Sequence, residues 1–198
     1  MELFTKNTFT SKPYGTGYTP TVTTLLGRFL RIAEEMFGPR DMKFTILGVE
    51  FSEIDQPQIW FPEYPERKFI SIILTQECET DFNRAIFQLS HEIVHALCPT
   101  PGYHANVLEE GVATYFSYKM SEKFGNSMKA GAKQYVEAEK YAEQLLAIKS
   151  DVIKEARKFC PNISSISHTQ LKTLCPNVGE SLLDTLLMPF AEFSKKYE

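Results

Sequence analysis

Residues 68–97 read KFISIILTQECETDFNRAIFQLSHEIVHAL, and the organisation of the whole chain can be worked outward from them. Lys68 to Thr75 is a nearly unbroken apolar run rich in Ile, the composition of a strand. Thr80-Asp81 then supplies a helix cap, after which Phe82, Ala85, Ile86, Leu89, Ile93, Val94 and Leu97 recur at helical spacing and stop before Pro99. Upstream, Lys43 to Phe51 and Gln58 to Phe61 are further strand candidates, set apart by Pro57, Pro62 and Pro65. Before them, Leu25, Leu26, Phe29, Ile32, Ala33 and Met36 mark a helix opening at Thr21 and closed by Gly38-Pro39. Residues 1–20 have no periodicity and read as an irregular arm. Downstream, Cys98 to Ala105 is a loop, and Asn106 caps a helix running to about Phe124. Helical segments follow near 127–149, 151–160, 168–175 and 179–197, interrupted by Pro161 and Pro176. One helix, then strands, then only helices predicts an α+β domain over residues 1–198. A small, mostly antiparallel sheet and the site helices would occupy 21–126, and a helical flank 127–198.

Composition narrows the function without naming it. The chain has 198 residues, a formal net charge of -4 and 43% hydrophobic residues, as expected of a folded domain that hides about 70% of its unfolded surface. The acidic balance gives no reason to expect nucleic acid as a partner. No apolar run approaches the roughly 18 residues of a membrane helix, and Met1 to Asn7 has neither a basic leader nor an apolar stretch, so the expected location is cytoplasmic. Four cysteines (Cys78, Cys98, Cys160, Cys175) show no CxxC spacing and are expected as reduced thiols. The Lys and Glu faces beyond residue 127, such as Glu137, Glu139, Lys140 and Glu143, read as solvated surface. Composition leaves the oligomeric state open.

Two of the four histidines fall four residues apart in His91-Glu92-Ile93-Val94-His95. On a helix these positions differ by about 40° and stack on one face, so two imidazoles can share one metal. Glu92, about 100° around, is poorly placed to join the same coordination sphere but can reach a metal-held water, the position of a general base. A catalytic zinc usually takes three protein ligands. An HExxHxxGxxH continuation fails, because Cys98 and Pro101 stand where Gly and His would be needed. His104, Glu109 and Glu110 remain as candidates for the third position.

The segment Leu108-Glu109-Glu110-Gly111-Val112-Ala113-Thr114-Tyr115 resembles the E-G-x-A-[S/T]-Y segment that follows HExxH in gluzincin metallopeptidases, in particular the aminopeptidase-N-like branch and the small minigluzincins. The match covers His91 to Tyr115, about an eighth of the chain. It implies a zincin-like fold and one Zn²⁺ per chain, with His91, His95 and Glu110 as ligands in preference to Glu109, and Glu92 as catalytic base. The resemblance and helix geometry both allow Thr114, one turn after Glu110, to hydrogen-bond a ligand, and Gly111 reads either as letting the two site helices approach or as a tolerated helix glycine. Two departures stand out: only 14 residues separate His95 from Glu110, which requires a tight loop, and no G-x-M-E-N segment lies upstream, so aminopeptidase activity is not expected. The function implied is a zinc-dependent metallopeptidase acting on a peptide or protein. The alternatives are an inactive zincin-like binding or regulatory module and a zinc amidase with a non-peptide substrate. Tyr115, Tyr118, Tyr135, Tyr141 and His168 are all chemically able to stabilise an oxyanion. The strand at Lys68 to Gln76 is expected to offer an edge to an extended substrate, as in related zincins.

Overall fold

The computed structural model describes residues 10–102 and 104–197. The first nine residues of the expected arm lie outside it. The rest of the arm is not irregular throughout: Pro13–Tyr14 (β1) and Gly17–Tyr18 (β2) pair as a short antiparallel hairpin, turned at Gly15 with φ 58°.

Helix α1 (Val22–Phe37) begins where Thr21 accepts a hydrogen bond from the Thr24 amide, and Thr24 returns one to the cap. Its buried residues, among them Leu25, Phe29, Ile32 and Ala33, are the predicted stripe. Three strands follow: β3 (Thr45–Ser52), β4 (Gln58–Trp60) and β5 (Phe69–Thr75). The sheet order is β3-β5-β4, parallel between β3 and β5 over seven residue pairs and antiparallel between β4 and β5 over three. The expected mostly antiparallel sheet is therefore corrected to a mixed sheet whose longer ladder is parallel.

The reason lies in β5. From Ile70 to Thr75 every residue is buried, and a run buried on both faces belongs in the middle of a sheet. Strand β4, confined between Pro57 and Pro62, stays short and takes an edge. Ile70, Ile72 and Leu74 point into the core, where Ile46, Val49, Phe51 and Ile59 join them from the neighbouring strands. The register shifts between Ile46 and Gly48, leaving Leu47 unpaired and exposed. On the opposite face the Ser71 hydroxyl donates to Glu50 over 2.7 Å.

Helices α1 and α2 (Phe82–His95) pack on the sheet, α3 (Val107–Lys123) lies against α2, and α4 (Lys133–Ile148) lies against α3. Asp81 and Asn106 cap α2 and α3 as predicted, accepting from the amides of Arg84 and Glu109. The segment expected as one helix over 127–149 begins only at Lys133, because Asn126 to Ala132 forms a loop. Its Ala130 amide donates to the Tyr118 hydroxyl, and the Asn126 side chain donates to the Asn83 carbonyl. The flank continues through α5 (Val152–Arg157), a short 3-10 turn (Ile163–Ser165) and α6 (His168–Leu174). The expected last helix over 179–197 is two, α7 (Glu180–Leu187) and α8 (Phe190–Ser194), interrupted at Met188-Pro189. That break pairs with the start of α3: Val107 donates to the Met188 carbonyl and Phe190 to the Ala105 carbonyl.

Arg157 ties the helix ends together. It is 5% exposed, and its guanidinium donates to the carbonyls of Phe37, Gly38, Pro39, Leu97 and Pro161 at 2.7–3.3 Å. All four cysteines are free thiols, as expected. Burial pushes the Cys78 thiol up to about 12, so it stays protonated in the core. Among the described residues no helix is long and apolar enough to cross a membrane.

Candidate functional site

His91, Glu92 and His95 end helix α2, the first two buried and His95 half-buried. They offer ligand atoms that all lie within 4.8 Å of one another, a group that can hold a metal ion. The two imidazole rings stand 5.1 Å apart, edge to face, on one helix face as the spacing predicts. The group opens into a cleft of about 900 Å³, floored by α2, with β4 on one side and Met128 to Ala132 of the loop before α4 on another.

Helix α3 brings two carboxylates to the histidines, and they meet different nitrogens. Glu110 lies across both rings, its Oε2 3.2 Å from His91 Nε2 and its Oε1 3.7 Å from His95 Nε2. Glu109 instead meets the other side of the second ring, with Oε1 2.9 Å from His95 Nδ1. Its Oε2 accepts the hydroxyl proton of Ser164, from the 3-10 turn. Helix α3 is buried on nearly every side, by α2 at one face and α4 at another, which is how consecutive glutamates both reach the interior. His104, the third candidate, lines the cleft but is exposed; like Glu109 and Glu110 it is outside the group of His91, Glu92 and His95, in which Glu92, expected to be poorly placed for the coordination sphere, supplies the third ligand atom.

The electrostatics follow from three carboxylates and two imidazoles sharing a poorly solvated pocket. Burial holds the Glu92 carboxyl above the usual carboxylate range, partly offset by His95 and His91 and reinforced by the charges of Glu110 and Glu109. Glu92 is 4% exposed. Burial also opposes the charge of Glu110, but His95 and the hydrogen bond from His91 outweigh it and hold that carboxyl low. His95 is pulled down by burial and pushed up more strongly by Glu110 and Glu109, ending at about 10 in the metal-free chain. Two imidazole nitrogens and a carboxylate facing one point are the donor chemistry that suits zinc. A divalent cation would also balance the carboxylates, so the residues present fit such an ion.

Of the five oxyanion candidates, the structure brings one to the site. The Tyr135 ring meets the edge of His91 at 5.8 Å and leans on Phe190 at 4.9 Å. Burial and the charges of Glu110 and Glu92 raise its hydroxyl, which stays protonated. Tyr118 is occupied with Ala130, Tyr141 packs on Phe193, and His168 pairs with Glu180 at 2.8 Å. Tyr115 packs against the core away from the cleft.

Three expectations are corrected. Thr114 does not hydrogen-bond a ligand: its hydroxyl is fully buried with no partner among the described residues, because both oxygens of Glu110 turn toward the imidazoles. Gly111 does not serve the approach of α3 to α2. A Cβ there would lie 2.4 Å from the Ala138 carbonyl oxygen and 2.9 Å from Ala142 Cβ, so the glycine admits α4. Strand β5 cannot present an edge, being flanked on both sides, and the edge at the cleft belongs to β4.

Sequence reasoning missed Ser164 and Phe190, both from the flank. The break at Pro189 was the available signal for Phe190, whereas nothing local marks Ser164. Neither a protein-family model, nor a curated protein, nor a solved structure matches this chain. What stands for the site is therefore its own geometry: a His-Glu-x-x-His helix end within metal-binding distance, at the floor of a cleft in an α+β fold.

Proposed function

We propose that this chain is a zinc-dependent metallopeptidase of the gluzincin kind, with His91, His95 and Glu110 as ligands to one zinc ion and Glu92 as general base. One observation carries the reading: a buried carboxylate, Glu92, stands beside two imidazoles whose Nε2 atoms face a common carboxylate, Glu110. When bound, zinc polarises the scissile carbonyl and brings the pKa of a water to about 7.

The chain's own groups do the rest. Glu92 takes a proton from the attacking water and delivers it to the leaving amine. Burial disfavours its charged form, which favours uptake of that proton. Tyr135 donates its hydroxyl proton as a hydrogen bond to the oxyanion opposite the ligands, held in place by His91 and Phe190. An extended peptide adds to β4 at Gln58–Trp60, whose outer edge is unpaired in the sheet and whose Gln58 and Ile59 line the cleft.

The test is Glu92→Gln. It should retain about one zinc per chain while hydrolysis of a peptide library falls at least ~10³-fold, within the usual range for a proton-transfer group. Full activity in Glu92→Gln would remove the base assignment. A wild-type protein that holds zinc yet cleaves no peptide in the library would favour a binding module instead.

A further inference from the structure

We propose that the C-terminal flank sets the affinity of the metal centre, through a positioning chain that runs from Ser164 to Glu109 to His95. The inference rests on the zinc reading above.

The Ser164 hydroxyl has one proton and two acceptors within reach, Glu109 Oε2 at 2.5 Å and Asn106 Oδ1 at 3.1 Å, and the shorter contact, to a carboxylate, has the length of a charge-assisted bond. The oxygen's remaining capacity accepts the Asn106 amide at 2.9 Å, and the Ser164 carbonyl accepts the Asn106 side-chain amide at 3.3 Å. Asn106 also caps α3 by accepting the Glu109 amide at 3.0 Å. Residues 55 and 58 positions apart are thus clasped at the point where α3 begins.

With Oε2 held by Ser164, Glu109 has only Oε1 left, and it faces His95 Nδ1 at 2.9 Å. That contact requires the proton of a neutral His95 to sit on Nδ1, which leaves Nε2 unprotonated and turned toward Glu110 and the ion. A carboxylate bound at both ends and 7% exposed cannot rotate to compete with Glu110 as a ligand. This resolves the rivalry between the consecutive glutamates: one lies across the Nε2 pair, and the other is anchored behind His95. The anchor is rigid because Ile163 and Ile166, on either side of Ser164 in the turn, are 3% and 2% exposed in the core.

The experiment measures zinc affinity by competition with a chromophoric chelator for wild type, Ser164→Ala, Ser164→Thr, Glu109→Gln and Ile163→Val. Exchange of the His95 Nδ1 proton in the zinc-loaded protein is followed by NMR. Loss of a partner behind a ligating histidine weakens binding by about 10- to 100-fold. Ser164→Ala should fall at the lower end of that range and Glu109→Gln should follow it. Both should speed exchange of the His95 proton, while Ser164→Thr, which keeps a hydroxyl, restores both readouts. Ile163→Val, which loosens the same turn without touching the hydroxyl, should leave them unchanged. Zinc binding by Ser164→Ala within twofold of wild type, or equal weakening in Ile163→Val, would overturn the inference and leave the zinc reading standing. A wild-type chain that takes up no zinc would overturn both.

Discussion

Replacing Gly111 by alanine tests how α4, and with it Tyr135, is docked on the site. In the middle of a helix this change ordinarily stabilises by about 1 kcal/mol, because glycine loses more backbone freedom on folding. Here the new Cβ would stand 2.4 Å from the Ala138 carbonyl oxygen and 2.9 Å from both the Ala138 carbonyl carbon and Ala142 Cβ. The nearest of these is backbone and cannot swing aside, so α4 must move outward by roughly 1 Å to restore ordinary contact. Overpacking of this kind costs about 1–3 kcal/mol, and a backbone clash belongs at or beyond the upper end. After subtracting the propensity gain, the net loss is about 2 kcal/mol. For a chain of this length that lowers the melting midpoint by about 4–8 °C.

The displacement also reaches function, because Tyr135 lies one turn before Ala138 on the same helix and packs on His91. A shift of about 1 Å in a positioning group can cost about 100-fold in rate. Gly27, exposed in α1 with nothing within 4 Å of its would-be Cβ, is the control. Gly27→Ala should raise the midpoint where Gly111→Ala lowers it, in parallel calorimetric scans of the metal-free proteins. If Gly111→Ala were as stabilising as Gly27→Ala, the close approach of α3 and α4 would be refuted.

Other outcomes follow from the same geometry. Arg157→Lys should destabilise by at least about 2 kcal/mol in urea titrations, since an ammonium has three donors for five carbonyls spread across three helix ends; an unchanged unfolding midpoint would show the clasp to be dispensable. Tyr135→Phe should keep zinc and fold but lower kcat by about 10²- to 10³-fold with little change in KM, and equal losses in zinc content would place the tyrosine in metal holding instead. Zinc affinity should rise by about tenfold per pH unit between pH 7 and 9, because His95 keeps its proton up to about 10 and the ion must displace it. The sign in the metal-free protein is opposite. A histidine raised from about 6.5 stabilises the fold fully below pH 6.5, and that contribution is lost as pH climbs through about 10.

The parts of this fold governed by local chemistry could be read directly. Thr21, Asp81 and Asn106 each accept a bond from the amide three residues on, so three helix starts fell where the caps stood. The HExxH face needed only helical geometry. Strand order was not legible, because β3 and β4 compete for neighbours that no local signal names; only the continuous burial of β5 points to the centre, and the run Ile70 to Leu74 was open to that reading. The loop at 126–132 was hidden by residues such as Ala130 and Ala132 that favour helix, and it forms because Tyr118 and Asn83 satisfy its polar groups. Glu109 and Glu110 differ by which imidazole nitrogens they meet, which no local pattern shows, and the partner of the second Glu109 oxygen, Ser164, lies 55 residues beyond it.

The most direct test is crystallographic: anomalous diffraction collected on either side of the zinc absorption edge, from crystals of the zinc-loaded protein. The account predicts one strong peak about 2.0–2.2 Å from Nε2 of His91, Nε2 of His95 and a carboxylate oxygen of Glu110, with Glu109 still bonded to His95 Nδ1. A peak ligated by Glu109 in place of Glu110, or no peak at the end of α2, would contradict it.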